Sequence, residues 1–395
     1  MEQLSEEFSF VEYEDGYELE KYRGTSEVVH IPERYQHKWI RSIGTHAIFG
    51  NPHLKTIHFP RGLTNIADHS CMYCQEMTTL HFPEGLQKIG ESAFAQSLSL
   101  QELHFPKGLV SIGVEAFTMC ESLTSITFAG GPRKIEDGAF SKCISLERVE
   151  FAAGLMEIKE AAFAECESLQ RVDLPDGVRV IEDYAFAYCV SMTTLRLPPG
   201  LKSIRDYAFY GCESLLDIEW PESVYDLGEQ VFYGCTNATL HVPRGGEAGV
   251  PYVADKMTVA IQAGSFSYKV FFTNKLVNLS LDHPQRLAQH DQNILAHKNP
   301  QMKIRAMLMR LSSPYLLAAE VRDKFAGYLR KHWHKLDDPR FLQQIGPKWY
   351  VWFFVNGLVT SSTLDAFIAY AREHEEGEAL EFFLNVRSGG SNVDP

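Results

Sequence analysis

The chain has 395 residues and a formal net charge of −14, with 37 Lys and Arg against 51 Asp and Glu. That balance argues against nucleic acid and anionic membrane as partners, since both need a basic footprint. Hydrophobic residues make up 45% of the chain, enough for a large core, yet no run reaches the roughly eighteen apolar residues of a membrane-crossing helix.

The opening stretch, MEQLSEEFSFVEYEDG, is acidic and holds no continuous apolar run, so it does not read as a secretory signal. The expectation is a cytoplasmic protein, with export without a recognisable signal peptide as the alternative. Phe8, Val11 and Tyr13, then Tyr17, Leu19 and Tyr22, flank Asp15-Gly16 in the pattern of a hairpin. Val28 to Ile31 reads as a strand and Pro32 to Trp39 as an enlarged loop. Residues 1–42 are expected to form a cap, because the end of a stacked array exposes apolar edges unless covered.

From Leu54 to Trp220 the sequence repeats at a step of 23 residues. Leu123 to Phe140 reads LTSITFAGGPRKIEDGAF, Leu146 to Phe163 reads LERVEFAAGLMEIKEAAF, and Leu169 to Phe186 reads LQRVDLPDGVRVIEDYAF. Ile66, Ile89, Ile112, Ile135, Ile158, Ile181 and Ile204 share one phase; Phe94, Phe117, Phe140, Phe163, Phe186, Phe209 and Phe232 share another. A fixed period of this size marks a solenoid, in which one coil cannot bury its apolar face without its neighbours. Within a unit, the alternation Leu103-His104-Phe105 predicts a short strand with one buried face. Prolines such as Pro106 then end the ladder and glycines such as Gly108 supply the turn. A second ladder, Phe59, Phe82, Phe105, Phe128 and Phe151, is predicted to be core.

Seven of the eight cysteines, Cys74, Cys120, Cys143, Cys166, Cys189, Cys212 and Cys235, also share a phase. Stacking places neighbouring thiols roughly 5 Å apart. They read as reduced core residues that pack as small hydrophobes. Cys71 alone breaks the phase and is expected to react first. Cys71 and Cys74 have redox-pair spacing without the strand-to-helix context such a pair needs.

The unit Leu-x-x-Ile-x-Ile-Pro…Val-x-x-Ile-Gly-x-x-Ala-Phe-x-x-Cys resembles the BspA-like leucine-rich repeat, at least from Ile43 to Val242. The resemblance implies a right-handed, curved solenoid with strands on the concave face and turns or short 3₁₀ segments opposite, used for binding rather than catalysis. The chain departs from the pattern where phenylalanine replaces the second strand isoleucine. Cys71 takes a place on the Phe ladder, and Gly130-Gly131 loosens one coil. The expected fold class is a β-rich leucine-rich-repeat solenoid, residues 43–262, followed by an all-α domain, residues 263–395.

In that second part, apolar residues at helical spacing predict helices at Pro284–His297, Met302–Leu311, Leu317–Leu336, Pro339–Ile345, Trp349–Val359, Ser362–His374 and Glu376–Val386. The pair Leu364–Arg372 and Ala379–Leu384 is similar to an ankyrin-type helix pair over a short stretch. The tail Ser388–Pro395 is rich in Gly and Ser.

Motifs of catalysis are missing from the sequence. There is no HExxH and no GxSxG, and Arg244-Gly245-Gly246 lacks the lysine and helix of a phosphate loop. No cofactor is expected. The leading expectation is a scaffold that binds a protein of unspecified identity, with the oligomeric state left open. Its face would be the outward strand residues Lys55, Thr56, His58, Thr79, His81, Glu102, His104, Ser125, Thr127, Arg148, Glu150, Arg171, Asp173, Thr194, Arg196, Asp217 and Glu219. His58, His81 and His104 fall on one phase and could hold a transition metal. The phase continues as Thr127, Glu150, Asp173, Arg196 and Glu219, which suits a graded contact surface better. The basic run Arg330-Lys331-His332-Trp333-His334-Lys335 reads as a helix C-terminus with Trp333 in the core, against the rival reading of a phosphate site. The alternative function is an enzyme or effector whose site lies in the helical domain, with His332, His334, Asp337, Asp338, Trp349 and Tyr350 lining a cleft. A third is self-association.

Overall fold

A computed structural model describes residues 4–221, 223–242, 258–263, 266–271, 284–312, 317–333, 349–355, 358–359 and 363–388. The chain divides into two compact units, Met1–Ala238 and Thr239–Pro395.

The first unit opens with strands β1 (Phe8–Tyr13) and β2 (Gly16–Tyr22), an antiparallel hairpin in which Tyr13 faces Gly16. Only glycine fits at position 16, since a Cβ there would lie 2.3 Å from the Trp39 carbonyl oxygen. Strand β3 (Val28–His30) follows. The expected enlarged loop is instead a tight hairpin of β4 (Arg34–Tyr35) and β5 (Lys38–Ile43). Its two turn residues, Gln36 and His37, have φ of 46° and 68°, the left-handed pair of a type I′ turn. The usual Asn-Gly signal is absent from the sequence. Stacking of the Arg34 guanidinium 4.1 Å from the Trp39 ring supports the turn.

Each coil then has three sides, two of them strands. On the first, parallel strands pair in register at the sequence period, Leu103 with Ile126 and His104 with Thr127, then Ile126 with Val149. One sheet runs from Val28–His30 to Arg148–Glu150, and a further sheet includes Arg171–Asp173, Thr194–Arg196 and Asp217–Glu219. The second side is a row of two-residue strands centred on the isoleucine phase, such as Asn65–Ile66 and Lys88–Ile89. This row passes from one sheet to another between Ser111–Ile112 and Lys134–Ile135. The intervening Gly131 has φ of 148°, so the expected loosening at Gly130-Gly131 coincides with this break.

The third side has no strands and is built on left-handed residues. His46, His69, Ser92, Glu115, Gly138, Ala161, Tyr184, Tyr207 and Gln230 have positive φ; four positions on, Gly50, Tyr73, Gln96, Met119, Lys142, Glu165, Tyr188, Gly211 and Gly234 do too. This geometry aims alternate N–H groups at the next coil. Cys71 and Tyr73 donate to the carbonyls of Ala93 and Ala95 at 2.8 and 2.9 Å, and Phe94 and Gln96 to those of Ala116 and Thr118 at 2.8 and 2.9 Å. A left-handed non-glycine residue costs about 1–2 kcal/mol; these bonds offset that cost by pairing backbone groups that burial would otherwise orphan.

Inside, Phe94, Phe117, Phe140, Phe163, Phe186, Phe209 and Phe232 are fully buried. Their rings stack nearly parallel with centroids 5.2–5.5 Å apart. The second ladder is less complete than expected. Phe59, Phe105 and Phe128 are buried, whereas Phe82 and Phe151 are half-buried. Both follow weakly joined strands. Thr79–His81 meets its successor at the single pair Thr79–Glu102, and Arg148–Glu150 ends its sheet.

The cysteines do more than fill space. Cys143, Cys166, Cys189, Cys212 and Cys235 each donate from Sγ to the carbonyl of the ladder phenylalanine one coil back, at 3.2–3.3 Å. Cys120 does so at 3.6 Å, and Cys74 reaches the Ile48 carbonyl at 3.3 Å. The Phe140 carbonyl also accepts the backbone N–H of Cys143, so the Cys166 thiol occupies its second lone pair. Ser97 holds the same phase, yet its buried Oγ has no partner. A C–O bond is shorter than a C–S bond, and the hydroxyl falls short.

All eight cysteines are free and buried. Burial and neighbouring Cys74 push the Cys71 thiol well up; burial pushes Cys74 up to about 11 and Cys143 up to about 12. Cys71 fills a ladder position inside the coil and is as fully buried as the other seven, which gives it no advantage in reaching a reagent. A thiol-reactive dye is expected to label none of the eight quickly in the native protein and all eight after denaturation without reductant. Rapid native labelling at Cys71 would contradict this placement.

In the second unit, Thr239–Val242 pairs in parallel with Thr258–Ala263, which pairs antiparallel with Phe266–Phe271. Described helices span Pro284–Ala296, Pro300–Ser312, Ala319–His332, Trp349–Val355, Leu364–Glu373 and Gly377–Arg387. Their apolar faces meet in one core that includes Met307, Leu311, Phe325, Leu329, Trp333, Phe353, Phe367 and Phe383. Trp333 stacks on Phe367 at 4.3 Å, as the core reading of the basic run requires. Arg310 and Asp291 form a buried ion pair with bonds of 2.7 and 3.1 Å. The expected helix at Pro339–Ile345 and the Arg244-Gly245-Gly246 segment lie outside the described residues. Among the described residues no helix is long and apolar enough to cross a membrane.

Candidate interaction faces

In-register pairing turns the outward strand residues into columns. One column contains Thr56, Thr79, Glu102, Ser125 and Arg148; the next contains His58 beside His81, then His104, Thr127 and Glu150. In the other sheet, Arg171, Thr194 and Asp217 align, as do Asp173 and Arg196. Lys55, His81, Glu102, His104, Arg148, Glu150, Arg171, Thr194, Arg196, Asp217 and Glu219 are exposed, while Thr56, His58, Thr79, Thr127 and Asp173 are half-buried. Ser125 is only 4% exposed and does not belong to the face as expected. Its short side chain sits between Glu102 and Arg148 on the flanking strands.

Polar side chains on the face are partly paired. Lys55 meets Glu27 at 3.0 Å, His104 meets Glu102 at 3.5 Å, Arg171 meets Asp173, and Arg196 meets Asp176 at 3.7 Å. Among the described residues no basic side chain pairs with Glu150 or Glu219.

The sequence reading missed one member of the histidine column. His30 pairs with His58 across the first strands, with rings 4.3 Å apart and 3° from parallel; His58 and His81 rings are 6.1 Å apart. Val28-Val29-His30 has the same alternation as Thr56-Ile57-His58, but the intervening hairpin lengthens the step and hides the repeat. Among the described residues no three His, Cys, Asp or Glu side chains are arranged to hold a metal.

Burial, then His30 and His81, hold the His58 imidazole below its ordinary value of 6.5. The folded chain therefore binds fewer protons at His58 than the unfolded chain does between the two pKa values. Stability falls as pH drops from the ordinary value through the lower folded one. Replacing His58 by Gln removes that loss, so the decline of Tm between about pH 7 and about pH 5 should be shallower in His58→Gln. An identical decline would show that His58 is not the strained member of the column.

Of the residues proposed for catalysis in the helical unit, three lie among the described residues. Trp349 and Tyr350 are buried in its core, where the Tyr350 hydroxyl donates to Glu378 at 3.1 Å. The His332 ring packs on Tyr328 at 4.5 Å. His334, Asp337 and Asp338 lie outside the described residues.

A family model described as a BspA type leucine rich repeat region, in six copies, matches residues 41–170 and 110–239. Together these matches span half of the chain. The chain belongs to the BspA-type leucine-rich repeat family. Similar solved structures include the Treponema pallidum leucine-rich repeat protein, 23% identical, covering 59% of this chain and 89% of that one with a TM-score of 0.42. A leucine-rich cell surface protein from Faecalibacterium prausnitzii is 20% identical, covering 60% of this chain and 92% of that one, with a TM-score of 0.31. The pneumococcal vaccine antigen PcpA is 17% identical, covering 60% and 79%, with a TM-score of 0.34. A search of curated proteins gave no match. For this BspA-type chain, the 23-residue step of the sequence is the physical register of its sheets.

Proposed function

We propose that the protein is an interaction scaffold whose protein partner docks across the strand face. The observation that carries this reading is the pair of in-register columns, which shift from histidine-rich at Val28–His30 to charged at Asp217–Glu219. Ladder pairing holds these side chains on a backbone already ordered, so binding costs little conformational entropy. Glu150 and Glu219 offer uncompensated charge to a basic patch on the partner, which favours encounter and register. On this reading the protein works in a reducing compartment, the cytoplasm, where its buried thiols stay free.

The test is recovery of a specific partner from a native lysate by the full chain and by a Glu150→Lys/Glu219→Lys variant. Loss of that partner from the variant, with an unchanged far-UV spectrum, supports the face. Equal recovery counts against it.

A further inference from the structure

We propose that the strandless side of the solenoid carries a second docking surface, a tyrosine platform with an acidic margin, which takes an extended lysine- or arginine-rich segment of a protein partner. This goes beyond the strand-face reading, because the residues lie on a different side of each coil.

Five tyrosines gather within three neighbouring coils. Tyr184 stacks on Tyr207 at 4.9 Å and Tyr210 on Tyr233 at 5.4 Å; Tyr188 and Tyr207 meet Tyr210 edge-on at 5.2 and 5.8 Å. Tyr184 and Tyr188 are 40% and 47% exposed. The fold does not require these rings. Gly138 and Ala161 stand at the Tyr184 position in the two preceding coils with the same left-handed backbone. A bulky side chain is less suited to that backbone than glycine is, so the backbone conformation itself does not call for tyrosine here.

The margin is charged. Glu160, Asp183, Asp206 and Glu229 form the column just before the left-handed one. Asp183 and Asp206 each accept the backbone N–H of the next member, at 2.9 and 2.6 Å, which fixes them beside the rings. Among the described residues no Lys or Arg pairs with any of the four. Uncompensated carboxylates next to exposed aromatic faces suit a cation that can lie over a ring while facing a carboxylate. A neutral sugar could stack on the rings but would leave the charges unanswered.

Toward the N-terminus the side chains shrink to Ala161 and Gly138, leaving a shallow groove of about 500 Å³ that reaches Met119 and Thr118. Coils repeat at roughly 4.8 Å, and an extended chain advances about 3.3 Å per residue. A short basic segment therefore spans the platform and enters the groove.

The test uses the full chain and a fluorescein-labelled peptide of alternating Arg and Gly, read by anisotropy. Tyr184→Asn/Tyr207→Asn removes the rings with a residue that tolerates the left-handed backbone. Asp183→Asn/Asp206→Asn removes charge and keeps the oxygen that accepts each N–H. Each pair should weaken binding about tenfold, while Tyr184→Phe/Tyr207→Phe, which keeps the rings, binds as the parent does. Asp323→Asn/Glu373→Gln, an equal loss of charge at exposed positions of the helical unit, should leave affinity unchanged. Affinity indifferent to the tyrosine pair, or equally reduced by the helical-unit pair, would reduce the effect to diffuse attraction by the net charge and overturn the proposal. So would binding of a xylo-oligosaccharide, but not the peptide, at the same tyrosines.

Discussion

Phe163→Ala should destabilise the solenoid by about 3–5 kcal/mol, the usual cost of truncating a buried phenylalanine. The ring is fully buried, with Phe140 stacked 5.4 Å to one side and Phe186 5.3 Å to the other. Coils before and after it share those contacts, so the hole cannot close without breaking register with both. Phe151→Ala, at a half-buried position where one sheet ends, should cost less than half as much. Urea midpoints followed by far-UV circular dichroism decide the point. Equal losses for the two substitutions would mean that the stacked column is not what holds the coils together.

The second large effect lies in the helical unit. Asp291→Ala should destabilise it by about 3–5 kcal/mol, because it takes from the buried Arg310 guanidinium a carboxylate that accepts two of its hydrogen bonds. The Arg310 and Asp291 side chains are 0% and 2% exposed and share two hydrogen bonds. A double variant, Asp291→Ala/Arg310→Met, should recover much of the loss, since a matched apolar replacement takes the buried guanidinium out together with that carboxylate. Thermal melts of the helical signal in the full chain measure both. A double variant as unstable as the sum of its parts would show that the pair does not act as a unit.

The architecture was legible because the same chemistry recurs in each coil. Ile66, Ile89 and Ile112 announce both the period and the register that later pairs them. Features that depend on neighbouring coils were not legible. The bond from Cys166 Sγ to the Phe140 carbonyl spans one coil plus one turn, and composition gives no hint that Ser97 at the same phase fails to make it. The left-handed columns were hidden because residues as different as His46, Ser92, Ala161 and Tyr207 share one backbone conformation. The strand face was read from alternation alone, which places Glu150 and Arg196 correctly on the exposed side. Alternation could not foresee that Ser125 is enclosed by longer neighbours or that His30 joins the histidines. The tyrosine platform escaped because its members occupy three separate phases, Tyr184 and Tyr207, Tyr188, and Tyr210 and Tyr233, which only the stacked coils bring together.

Side-chain footprinting of the complex reads directly whether a protein partner lies across the strand face. The chain, alone and bound to the partner recovered from lysate, would be labelled with a carbodiimide and with diethyl pyrocarbonate and mapped by mass spectrometry. With a partner on that face, His81, His104, Glu150 and Glu219, all exposed in the free chain, should lose reactivity in the complex while exposed Asp323 and Glu373 of the helical unit keep theirs. Unchanged reactivity at those four strand-face residues with the partner bound would contradict docking there.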